Sequence, residues 1–135
     1  MIPVTLSLRF ISRLDGEQDE STMQVSGTLE QEIGGFALRY TERMDDADTQ
    51  VLIRTDGHRA VISRSGPASV TFTLEPNIPH NCEYVTDAGR IPMTVKDAFV
   101  ESNVSETGGI LHLHYTLELG GGDSFHEISI VVRKG

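Results

Sequence analysis

Between Gly109 and Arg133 apolar and polar residues alternate almost without interruption. Leu111, Leu113, Tyr115, Leu117 and Leu119 take one parity and His112, His114, Thr116 and Glu118 the other; Gly120-Gly121-Gly122 follows and the alternation resumes. A period of two sets one row on each face of a strand, so the stretch is restricted to a β-hairpin with a dry face and a polar face. With Gly121 and Gly122 as the turn, Leu117 faces His126, Tyr115 faces Ile128, Leu113 faces Ile130, Leu111 faces Val132 and His114 faces Ser129.

The same alternation recurs along the chain. Val4, Leu6, Leu8 and Phe10 form one row, Asp15-Gly16 begins an acidic loop, and Met23, Val25, Gly27 and Leu29 form the next. Gly34-Gly35 turns into Phe36, Leu38 and Tyr40; a solvated acidic loop at Asp45, Asp46 and Asp48 leads to Val51 and Ile53; Asp56-Gly57 turns into residues 60–64. Gly66-Pro67 makes a corner before Val70, Phe72 and Leu74, and strands over residues 82–86 and 90–100 precede Thr107-Gly108-Gly109. About ten strands at even spacing, without a linker or an amphipathic helix, point to one all-β domain over residues 1–135. Consecutive hairpins favour a single antiparallel meander β-barrel of about 8–10 strands, because closure removes exposed sheet edges. Its expected core is Leu6, Leu8, Val25, Phe36, Leu38, Phe72, Leu113, Tyr115, Leu117, Ile128 and Ile130.

Composition narrows the function classes. Twenty acidic against eleven basic residues leave a net charge of −9, which repels nucleic-acid phosphates and anionic membrane surfaces, so neither is an expected partner. Cys82 is the lone cysteine; it fits a reducing cytoplasm, permits no intrachain disulfide, and is expected to be a buried structural thiol. The first residues read as a strand rather than a signal peptide, and no segment reaches the ~20 apolar residues of a membrane helix.

A family resemblance runs over nearly the whole chain. Gly27-Thr28-Leu29, the run from Gly35 to Glu42 (GFALRYTE), Val61-Ile62-Ser63-Arg64-Ser65-Gly66, Tyr84-Val85-Thr86-Asp87-Ala88-Gly89 and the run from Gly108 to Leu117 (GGILHLHYTL) resemble successive segments of the YwiB-like family. That family consists of uncharacterised bacterial β-barrels grouped with the calycins, the lipocalin-like barrels. The resemblance implies a calycin-like barrel and supplies no activity. Pro76-Asn77-Ile78-Pro79 departs from it, standing where a simpler glycine turn is expected.

Chemistry-bearing patterns are sparse. His112-x-His114-x-x-x-Glu118 matches the ligand core of the cupin motif and would serve a metal enzyme, since all three share a strand face. The pattern's preceding glycine is here Glu106, no second histidine motif follows, and the histidine row opposes the leucine row. Both imidazoles are therefore expected to be mostly exposed and unmetallated, and no cofactor is expected. No serine sits in a nucleophile elbow, the acidic runs lack calcium-loop spacing, and the triple glycine lacks the lysine of a phosphate cradle, so no enzyme is expected.

Polar residues on inward rows are the remaining candidates. Tyr40, Arg64, Tyr84, Thr86 and Tyr115 share parity with apolar neighbours and would line one end of a cavity. An inward arginine lacking a carboxylate would make an anion site; one reaching the rim would pair with an acidic loop. The expectation is a non-catalytic cytoplasmic barrel binding a small apolar or anionic molecule. The alternative is a filled barrel whose acidic surface meets a basic protein partner.

Overall fold

A computed structural model describes residues 1–44 and 47–135. Ten strands follow one another: β1 (Ile2–Leu14), β2 (Glu17–Glu32), β3 (Gly35–Met44), β4 (Ala47–Thr55), β5 (Ala60–Ser65), β6 (Ser69–Leu74), β7 (His80–Thr86), β8 (Gly89–Ser102), β9 (Gly108–Leu119) and β10 (Gly122–Lys134). They close in the order β1-β10-β9-β8-β7-β6-β5-β4-β3-β2, so each strand lies beside its neighbour in sequence and β1 against β10 completes the ring. This is the antiparallel meander barrel expected from the alternation. No helix among the described residues is long and apolar enough to cross a membrane. Of the expected loop at Asp45, Asp46 and Asp48, the first two residues lie outside the described residues; Asp48 is exposed in β4.

Inward rows build one apolar cluster. Leu6, Leu8, Leu38, Phe72, Leu113, Tyr115 and Ile130 are buried in it, while Val25, Phe36, Leu117 and Ile128 are half-buried against it. Val25 lies on the part of β2 that does not pair with β3, and Phe36 and Leu117 stand near strand ends.

The final hairpin differs from expectation by two residues. Leu117 faces Ser124, Tyr115 faces His126, Leu113 faces Ile128, Leu111 faces Ile130, and His114 faces Glu127 rather than Ser129. Gly120 and Gly121 both have positive φ (59° and 82°), the geometry of a type I′ turn, whose twist matches the flanking strands. A slip of two leaves every side chain on its expected face, so alternation alone does not distinguish the registers.

Asp15-Gly16 is likewise a two-residue turn, both residues at positive φ, and Leu14 pairs with Glu17. The acidic residues beyond it thus belong to β2, not to the expected loop. The Pro76 segment is a tight turn in which the Ile78 N–H donates to the Glu75 carbonyl at 3.2 Å. Asn77 takes a φ of 68° there, after a proline at the second turn position, the pattern of a type II turn.

Two seams loosen the wall. β2 pairs with β3 only from Gly27 to Glu32, leaving residues 17–26 bonded to β1 alone. β6 and β7 share the single pair Ser69 with Val85. At Gly27 a Cβ would stand 2.5 Å from the Arg39 carbonyl oxygen, so the close approach of β2 to β3 at the split requires glycine.

The barrel has a terminal end, carrying both chain termini and the β2–β3, β4–β5, β6–β7 and β8–β9 connections, and a far end carrying the other turns.

Candidate functional site

The far end gathers polar groups on inward rows. Register places Tyr40 beside Val51 and Val51 beside Arg64, bringing two of the expected residues into the interior. Glu42, two positions after Tyr40 on the same row and only 4% exposed, receives both terminal nitrogens of Arg64, one of them at 3.1 Å. The Tyr40 hydroxyl donates to the same carboxylate at 3.4 Å. A forked guanidinium–carboxylate contact of this kind satisfies both charges. Arg64 is therefore neither an unpartnered anion site nor paired with an acidic loop; its partner comes from inside β3.

Tyr115 packs its ring 5.7 Å from Phe72 and 5.3 Å from His126. Burial pushes its hydroxyl up to about 12, and burial with the Glu42 charge raises Tyr40 as well. The Arg64 charge opposes both shifts, so Tyr40, Arg64 and Tyr115 form one electrostatic neighbourhood. Burial lowers His126, whose Nε2 meets the Ser124 hydroxyl at 2.8 Å. Tyr84 is half-buried against the core. Thr86 closes the β7–β8 turn, donating to the Gly89 carbonyl at 3.2 Å and accepting from the Ala88 N–H at 3.1 Å. Parity puts Glu42 on the Tyr40 row and His126 on the Ile128 row, but no motif in the sequence singles out either as a site residue.

Cys82 is half-buried rather than fully so, because β7 barely pairs with β6 beside it; burial still raises its thiol.

On the outside of the barrel, His112 and His114 are half-buried rather than mostly exposed. Aromatic neighbours on the same outer face cover them: His114 stacks on Phe99 with centroids 4.8 Å apart and lies 5.6 Å from Phe125. His112 places Nε2 at 3.2 Å from Glu127 and Nδ1 at 3.0 Å from the Ser129 hydroxyl. Glu118, the third member of the cupin-like set, instead pairs with Lys96 at 2.9 Å. The spacing therefore does not converge the three side chains on one point.

A different space opens at the terminal end. A half-open cavity of about 660 Å³ has Ile2, Leu29, Phe36 and Val104 on its apolar side and Glu32, Asp56 and Glu106 among its polar residues. It forms because β2 and β3 bring Leu29 and Phe36 to the mouth while the β8–β9 loop carries Val104 and Glu106 across it. None of Tyr40, Arg64, Tyr84, Thr86 and Tyr115 lines it. Alternation puts Leu29 and Phe36 in strand rows, and no signal in the sequence marks that they meet at one open mouth.

Residues 7–130 match the family described as domain of unknown function DUF1934. The chain belongs to this family. Its fold is shared with the YwiB protein from Bacillus subtilis, whose crystal structure aligns with a TM-score of 0.89 over 99% of this chain and 92% of that one, at 18% identity. The resemblance to YwiB-like barrels read from the sequence segments is thereby shown, and the likeness concerns the fold. No curated protein matches the chain.

Proposed function

We propose that this DUF1934 chain is a non-catalytic binding barrel that takes a small molecule with an apolar body in the terminal-end cavity. One observation carries the reading. The cavity of about 660 Å³ has the size of ordinary ligand pockets, roughly 300–1,000 Å³, and combines an apolar wall with a few polar groups, as such pockets do. The resemblance to calycin-like barrels supports it, since a small closed barrel can hold one small ligand and pockets occur in the mouths of β-barrels. The non-catalytic part rests on the engagement of the interior ionisable groups with one another, Arg64 with Glu42 and Tyr40 with Glu42. The acidic composition and the single free cysteine, which forms no intrachain disulfide, suit a cytoplasmic setting without nucleic-acid or membrane partners.

The chain contains no tryptophan, so Phe36→Trp installs a single tryptophan in the cavity wall, excited selectively over the three tyrosines. Titration with 1-octanol is expected to change its emission saturably, and the unsubstituted protein is expected to melt at a higher temperature with the same probe. Neither response at millimolar octanol would overturn the reading.

A second reading, an acidic module for a basic protein, draws on one feature: the part of β2 unpaired with β3 carries Glu17, Asp19 and Glu20. Co-purification at low salt with loss at high salt would favour it over the cavity.

A further inference from the structure

Every ionisable side chain lining the terminal-end cavity is a carboxylate: Glu32, Asp56 and Glu106, with no lysine, arginine or histidine among them. The three are not equally free. Asp56 accepts the His58 and Arg59 N–H groups at 2.8 and 2.9 Å, which hold it below the usual carboxylate range. Glu32 shares Arg54 at 3.4 Å. Glu106 meets no cation among the described residues closely enough to form an ion pair. Its loop is held in place: Ser105 and Gly108 exchange backbone hydrogen bonds at 2.9 and 3.0 Å, and the Asn103 side chain accepts the Ile110 N–H at 2.7 Å.

An anionic head group entering this mouth would face the uncompensated Glu106 and the exposed Asp56 with no cation on the lining, whereas a cationic one would be attracted by both and would displace no partner from Glu106. The neighbouring guanidinium groups stay off the lining, Arg54 with Glu32 and Arg59 near Glu75 at 4.0 Å. We infer that the cavity selects an organic cation, an amine or ammonium group on an apolar body. The inference rests on the cavity being a ligand site. It replaces the anionic alternative that an unpaired Arg64 would have supported.

Three probes of equal chain length separate the two claims: octylamine, 1-octanol and octanoate at neutral pH and low salt. They are titrated calorimetrically against the unsubstituted protein and fluorimetrically against Phe36→Trp. The amine is expected to bind about tenfold tighter than the alcohol, and octanoate more weakly than either. Glu106→Gln, a change at an exposed position, should remove most of the amine's advantage over the alcohol. Three equal affinities, or a preference for octanoate, would overturn the charge selection and leave the cavity reading standing. No binding of any probe would remove both.

Discussion

Arg64 and Glu42 place a charge pair inside a barrel that could have been closed with hydrocarbon. The Glu42 side chain is 5% exposed and that of Arg64 29%, so removing one partner strands the other. Arg64→Met is expected to cost about 3–5 kcal/mol by leaving Glu42 unpaired, whereas Arg64→Met with Glu42→Leu should recover most of the loss. Urea midpoints of the two variants and the parent check this; equal midpoints for single and double variants would contradict the pairing. Burial depresses His126 below its ordinary value. Between that depressed value and about 6.5 the unfolded chain binds more protons than the folded one, so stability is full above about 6.5 and falls as pH drops through the window. His126→Asn should flatten this part of a melting-temperature profile recorded between about pH 5 and 8. At the apolar centre, Leu113 is fully buried, and Leu113→Ala should cost about 2–5 kcal/mol by leaving a cavity.

The β9–β10 hairpin shows what a strand pattern determines and what a turn determines. Alternation assigned Leu113 inward and His114 outward in either register, because registers two residues apart preserve parity. The choice fell to the turn, where Gly120 and Gly121, not Gly122, take positive φ. Gly120→Val is expected to destabilise the protein by about 1–3 kcal/mol, since a β-branched residue is strained there. Gly122→Ala should be tolerated, because its Cβ would meet nothing nearer than the Leu119 carbonyl oxygen at 3.7 Å. A reversed order in thermal melts would restore the Gly121-Gly122 turn. The β1–β2 hairpin follows the same rule, its tight turn at Asp15-Gly16 drawing Glu17, Asp19 and Glu20 out of the expected loop and into β2.

At the scale of the whole barrel, closure depends on one long-range pairing, β1 with β10, from Val4 with Lys134 to Arg13 with Phe125. Deleting residues 122–135 would open edges on β1 and β9, and such edges recruit other chains. The truncated protein is expected in the insoluble fraction or as large assemblies by light scattering, while the full chain remains dispersed. Strand number, inward rows, meander order and closure were all legible, because each follows from alternation and turn residues acting over a few positions. Tyr40, Arg64 and Tyr115 were legible as inward by the same parity. The Glu42 partner of Arg64 lies 22 residues away in the chain, and the terminal-end cavity joins Ile2, Phe36, Asp56 and Glu106 from four separate stretches. Local pattern determines which way a side chain points. Whether the space it points into is filled, paired or left open depends on side chains that meet only after the ring has closed, and that was decided by the tertiary structure alone.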